Sequence, residues 1–193
     1  MDMDYIDIGV NLLDSSFEED RDEVIDRAFN SNIRILINTS SSIEDSVRSL
    51  NLAKKYPSKI FTTAGIHPHN AATGDNSLKE SLTRMRQNDC MVAIGECGLD
   101  YHYGKDSVKE QKLSFITQIN VARDTGLPLI IHSRDADEDM IDILTSEFKN
   151  GPFQAILHCF SSGKKLALCG LDLGFYISFS GMEMFQHIVH YMG

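Results

Sequence analysis

Apolar residues in this chain come in short runs that end on polar side chains, and the runs alternate with longer amphipathic stretches. The run at 91–94 drives into Gly95 and a lone Glu96 and is closed by Gly98. Two later runs share the design with a different tip: 127–132 ends on His132, and 153–158 ends on His158. Short apolar runs rich in β-branched residues, without alternation, read as parallel strands buried on both faces. Further strands are predicted at 5–10, 33–37, 60–66 and 175–179, the third of these leading into His67-Pro68-His69.

Between them the 3.6-residue period predicts helices. The first starts after Ser15 and Ser16 near Phe17, with Val24, Ile25, Ala28 and Phe29 on one face. Others are predicted over 43–56 (stopped by Pro57), 78–87, 108–124, from near Asp135 and Asp137 to about 148, over 164–171 and over 182–191. Gly126 caps the long helix and Pro128 opens the strand that follows. The alternation argues for a parallel sheet with helical crossovers. The number of units argues for a (β/α) barrel of the TIM type rather than an open doubly wound sheet. The expected fold class is therefore α/β, a TIM barrel with seven of eight strand–helix units present. Residues 1–193 are expected to form a single domain, C-terminally incomplete by one unit.

In such barrels the C-terminal strand ends converge on one mouth, where the chemistry sits. Glu96, His132 and His158 then become candidate metal ligands, since carboxylate oxygen and imidazole nitrogen suit Mg, Mn or Zn. Glu96 alone would read equally as a helix cap, and His158 alone as a core histidine. Their equivalent placement on three strands favours the metal. His67 and His69 lie on the same rim. Pro68 fixes the backbone between them, and an extended segment would point both side chains toward a phosphate or a metal-bound water. Arg134 and Asp135, just past His132, either orient substrate or begin the next helix. His102 and Tyr103 fall in a polar loop where an aromatic ring could stack on a base, and His187 and His190 read as a solvated helix face.

Bulk properties narrow this picture. With 42% hydrophobic and 24% charged residues, 193 residues build one ordinary core. A net charge of -10 excludes a broad basic face for gripping nucleic acid, although divalent cations can meet a phosphodiester where lysines do not. No run of about 18 apolar residues predicts a membrane span. The N-terminus has no signal-peptide pattern, and the 4 cysteines show no CxxC spacing, so reduced thiols in the cytoplasm are expected.

Six stretches, in order, carry a family resemblance: 7–12 (Asp-Ile-Gly-Val-Asn-Leu), 64–69 (Ala-Gly-Ile-His-Pro-His), 93–100 (Ala-Ile-Gly-Glu-Cys-Gly-Leu-Asp), 129–136 (Leu-Ile-Ile-His-Ser-Arg-Asp-Ala), 157–160 (Leu-His-Cys-Phe) and 176–181 (Tyr-Ile-Ser-Phe-Ser-Gly). The chain resembles the TatD-type metal-dependent deoxyribonucleases, a branch of the amidohydrolase-like metal-dependent hydrolases. The resemblance implies a TIM-barrel hydrolase that binds divalent cations, commonly Mg, and trims DNA from the 3′ end, and it leaves open whether RNA is also a substrate. It implies metal binding by Glu96, His132 and His158 and places His67 at the active site; with it, His67 and Glu96 become the expected catalytic residues, and His67, His69 and Arg134, from their place on the rim, the expected substrate contacts.

Two departures stand out. Where many relatives carry two metal-binding histidines after the first aspartate, this chain has Gly9 and Asn11. The family's eighth strand carries a metal-binding aspartate for which no counterpart stretch is found, so weaker metal affinity and exposed sheet edges are expected. The alternatives to a nuclease are a small-molecule amide or ester hydrolase on the same barrel and a catalytically silent remnant.

Overall fold

A computed structural model of the chain describes residues 4–74 and 77–180. The elements follow in the order β1 (Tyr5–Val10), a 3-10 turn (Ser15–Phe17), α1 (Arg21–Asn30), β2 (Ile33–Asn38), α2 (Ile43–Lys55) and β3 (Ile60–Ala64). Next come a 3-10 helix (Pro68–Thr73), α3 (Leu78–Met85), β4 (Met91–Asp100), a 3-10 turn (Lys105–Ser107) and α4 (Val108–Thr125). The described chain closes with β5 (Leu129–Arg134), α5 (Asp137–Asn150), β6 (Ala155–Leu157), α6 (Lys164–Asp172) and β7 (Tyr176–Ile177).

All seven strands are parallel, and each pairs with its neighbours in sequence, giving the order β1-β2-β3-β4-β5-β6-β7. The sheet curls as part of a barrel with the helices outside. The helix predicted over 182–191, with His187 and His190, lies outside the described residues.

The larger core cluster is built where α4 packs on β4 and β4 pairs with β5. Phe115, Ile119, Ile94, Leu129 and Ile131 are all fully buried there, each contributing roughly 1.5–3 kcal/mol through removal from water. A smaller cluster of Leu12, Ile25, Leu36, Leu52, Ala53 and Ile60 fills the space between β2, α1 and α2. The edges differ from the buried strands that the sequence suggests. Ile6 and Ile8 in β1 are 57% and 37% exposed, and Tyr176 in β7 is 75% exposed. Among the described residues, β1 and β7 each pair on one side only. No described helix is long and apolar enough to cross a membrane, and all four cysteines are free thiols.

Three local expectations need correction. The first helix does not start at Phe17. The Asp14 carboxylate captures the Ser16 N–H at 2.9 Å and its hydroxyl at 2.6 Å, closing a separate turn, and α1 begins at Arg21. The segment after His67 is not extended: Pro68 sits in the first turn of a 3-10 helix that His67 caps. Third, β4 does not stop at Glu96. It runs on to Asp100, with a register shift between Ile94 and Cys97.

The glycines that look like terminators are what allow that continuation. At Gly98, φ is +133°, and an added Cβ would lie 2.0 Å from the His132 carbonyl oxygen. Only a residue without Cβ lets β4 and β5 approach so closely at the mouth.

Candidate metal centre

The C-terminal ends of the strands are joined by buried hydrogen bonds rather than by apolar packing. Asn38, at the end of β2, accepts from the Leu12 N–H at 2.6 Å and donates to the Ser49 hydroxyl at 2.8 Å. The Ser40 hydroxyl donates to the Thr63 carbonyl at 3.0 Å, and the Ser40 N–H donates to the Thr63 hydroxyl at 3.1 Å. Thr63 in turn donates to the Gly95 carbonyl. The next residue, Glu96, donates its own N–H to the Ser40 carbonyl at 3.0 Å. Five segments are thus stitched together, and their shared product is a fixed backbone at Glu96.

From that backbone the Glu96 carboxylate reaches His132, with Oε1 3.4 Å from Nδ1. His67, Glu96 and His132 offer ligand atoms that all lie within 4.8 Å of one another. Burial raises the Glu96 carboxyl, but the His132 hydrogen bond and the charges of His67, His132 and His158 outweigh it, leaving the pKa below the ordinary value. For His132, burial opposes the charged ring, while Glu96 and then Asp100 favour it more strongly, so its pKa is raised.

Asp100 is the site residue that sequence reasoning missed. Its Oδ2 lies 3.0 Å from His132 Nε2 and 2.8 Å from His69 Nε2, and its Oδ1 accepts the Tyr103 N–H at 2.9 Å. Its side chain is only 1% exposed. With Nε2 of His132 held by a carboxylate, Nδ1 is the nitrogen left to face Glu96 and a cation, the arrangement by which a carboxylate fixes the tautomer of a metal-binding histidine. A signal existed. Residues four apart on a strand share a face, so Glu96 and Asp100 would have been paired had β4 been continued through its glycines.

His67 is positioned from both sides. Its N–H donates to the Ser41 carbonyl at 3.0 Å, and the preceding Ile66 is clipped by buried Gln118, which accepts from the Ile66 N–H at 2.9 Å and donates to its carbonyl at 3.0 Å. The ring's Nδ1 accepts the His69 N–H at 3.2 Å. Burial is the main cause that lowers its pKa to about 4. A neutral ring whose Nδ1 accepts carries its proton on Nε2. His67 therefore presents a hydrogen-bond donor beside Glu96 and His132.

The other predicted residues are dispersed around this centre. His158 stands toward β1, with Nδ1 3.3 Å from the Ser178 hydroxyl, and it lies outside the compact trio. Its ring fills the space over Gly9 (φ +96°), where a Cβ would fall 2.4 Å from Cε1. His69 packs its ring edge-on to His67 at 4.5 Å. Arg134 places its guanidinium 4.8 Å over the Tyr103 ring, and Asp135 pairs with His102 at 3.0 Å. Arg134, His102 and Tyr101 line an open cleft of about 810 Å³ beside the mouth.

The donor set fits a divalent cation. An ionised carboxylate and an imidazole nitrogen face each other across 3.4 Å, and a second carboxylate stands behind the imidazole.

The chain is also similar to known proteins in sequence and in fold. The chain is 35% identical over 175 residues to the 3'-5' ssDNA/RNA exonuclease TatD of Salmonella typhimurium, covering 91% of this chain and 66% of that protein. It is 37% identical over 158 residues to the protein of that name from Pectobacterium carotovorum, covering 82% of this chain and 60% of that one. The chain thus spans about two thirds or less of the length of these relatives.

Among solved structures, YJJV, a TatD homologue from Escherichia coli K12, superposes with a TM-score of 0.80 at 24% identity, covering 90% of this chain and 66% of that one. A TatD-family hydrolase from Entamoeba histolytica superposes with a TM-score of 0.79 at 27% identity, covering 94% and 66%. The family model described as TatD-related DNase matches residues 6–191, and with relatives and solved structures of that family matching over most of its length, the chain belongs to the TatD-related DNase family.

Proposed function

We propose that residues 1–193 act as one metal-dependent hydrolase domain that removes nucleotides from the 3′ end of single-stranded DNA, with RNA as a second substrate. The observation that carries this reading is the Glu96–His132 pair, backed by Asp100 and flanked by the His67 donor. Glu96 and His132 would hold the cation, with His158 as a third ligand from the β1 side. Magnesium is the proposed ion, with manganese or zinc as alternatives, and the cytoplasm is the proposed compartment. A divalent cation in such a site neutralises developing phosphate charge and makes a bound water more acidic.

The chain's own groups do the rest. Asp100 keeps His132 in one tautomer and one orientation. His67 stays neutral well below neutral pH, so its Nε2–H can donate to a phosphate oxygen without first releasing a proton. His69 and Arg134 would meet the strand on the β4–β5 side, the Arg134 guanidinium supplying positive charge where the chain has little.

The test is shortening of 5′-labelled single-stranded DNA with Mg, Mn or Zn. Stepwise loss from the 3′ end, abolished by chelation and by Glu96→Ala, is expected. A folded chain that releases no nucleotides with any of the three metals would overturn the reading.

A further inference from the structure

The loop after β4 carries a large aromatic ring that the metal centre does not use. Tyr103 is 67% exposed, yet it is held from three directions. Its N–H donates to Asp100 at 2.9 Å, Arg134 covers the ring at 4.8 Å, and the His69 ring meets it edge-on at 5.6 Å. Buried Gln111 closes the loop behind it, donating to the Asp100 carbonyl at 3.0 Å and the Gly104 carbonyl at 2.9 Å. Folding alone does not call for this. An exposed ring buries little apolar area, and hydrogen bonds that hold its backbone do not require an aromatic side chain there. With His69 and Gly104, Tyr103 lines a cleft of about 540 Å³ next to the catalytic mouth.

We propose that Tyr103, braced by Arg134, is the platform on which an unpaired nucleobase adjoining the scissile phosphodiester stacks. The inference rests on the nuclease reading above and adds how the strand is recognised. Every base has a π-face, so an aromatic platform is indifferent to sequence but requires the base to be free of a complementary strand. Arg134 adds a cation to the same ring. The site would in this way select single-strand ends without a basic groove, which the net charge of -10 makes unavailable.

The probes are 5′-fluorescein single-stranded DNAs that are identical except for an abasic residue at the 3′-terminal or the penultimate position. Binding is read by anisotropy and cleavage by KM and kcat, for the unaltered chain, Tyr103→Ala and Tyr103→Phe. On the natural end, Tyr103→Ala is expected to raise Kd and KM by about 5- to 100-fold, the range of one base–aromatic stack, with a smaller change in kcat. Tyr103→Phe keeps the ring and stays near the unaltered value. On one of the two abasic probes the chain and Tyr103→Ala converge.

Equal binding of the natural end by Tyr103→Ala and the unaltered chain overturns the inference, as does a loss that persists undiminished on both abasic probes. No binding of any probe by the unaltered chain overturns it as well. Tyr103-dependent binding without cleavage sustains the platform and sinks the hydrolase reading alone.

Discussion

Gln118 offers a test in which the hydrogen-bond arithmetic can be done in advance. Its side chain is fully buried on α4, and both ends of its amide are committed to the backbone of Ile66, one residue before His67. In Gln118→Leu the Ile66 N–H and carbonyl both lose their partner in the interior. Each buried group left unpaired costs roughly 1–3 kcal/mol, and the added apolar surface of leucine returns about 1 kcal/mol. The net expectation is a loss of about 1–5 kcal/mol, read as a lower urea midpoint at unchanged slope.

Gln118→Glu sharpens the test. As a carboxylate it can still accept from the Ile66 N–H but faces the Ile66 carbonyl with a lone pair, whereas as a neutral acid it can do both jobs. Its folded-state pKa is therefore raised above the ordinary 4.3 or so. Stability is then fully present below the unfolded value and is lost as pH rises through the folded one. Gln118→Glu should approach the unaltered protein near pH 4 and fall away toward pH 8, while the Gln118→Leu deficit stays flat. Losses below about 1 kcal/mol in Gln118→Leu, or a Gln118→Glu deficit that does not grow with pH, would refute the claim that this amide supports the His67 backbone.

Further expectations come from the same network. Asp100→Asn removes the anion that orders His132 and His69, and metal affinity measured by calorimetry should fall about 10- to 100-fold with the far-ultraviolet spectrum unchanged. The Asp100 carboxyl sits at about 2: burial would raise it, but the Tyr103 N–H, His69 and His132 outweigh that. Stability due to this ionised carboxylate is present above the ordinary value near 3.8 and is lost as pH falls toward 2, so Asp100→Asn should flatten that part of an acid-unfolding curve of the metal-free chain. Gly98→Ala combines a left-handed φ with backbone overlap and should cost about 3 kcal/mol or more in thermal unfolding, with metal affinity lost in parallel. In the metal-free chain the His67 ring should stay neutral as pH falls until about 4, while His132 titrates above the ordinary histidine range. Proton NMR of the two imidazoles checks both, and a His67 midpoint near 6.5 would contradict its burial.

Much of this architecture is legible in the sequence because periodicity reports burial. β1 at 5–10 and α4 over 108–124 match the observed elements to within a residue, since their apolar runs and caps leave few alternatives. Glu96 and His132 were recoverable for the same reason, each ending an apolar run. What stayed hidden depends on backbone geometry that one sequence does not display. Gly95 and Gly98 carry the same letters whether they end a strand or let two strands approach, so the predicted strand stops at Glu96 and leaves Asp100 outside it. The fold of the segment 67–73 turned on Pro68, which is compatible with both an extended chain and the first turn of a helix. His158 has the same run-ending signature as His132. Its distance from the trio reflects which side of the mouth β6 delivers it to, and linear spacing does not encode that.

The polar stitching at the mouth divides the molecule by its tolerance of change. At the N-terminal ends of the strands, Ile60 packs in the smaller apolar cluster and Met91 and Leu129 in the larger one, all through non-directional contact, and exchange among apolar side chains of similar volume is cheap there. At the other end, Asn38, Ser40, Thr63, Gln111 and Gln118 are each bound by direction as well as by size, and few alternative side chains reproduce both. Descendants of this chain can drift freely at the floor of the barrel. At the rim, two or more partners must change together, so new chemistry there is most readily gained on exposed loops such as the one bearing Tyr103.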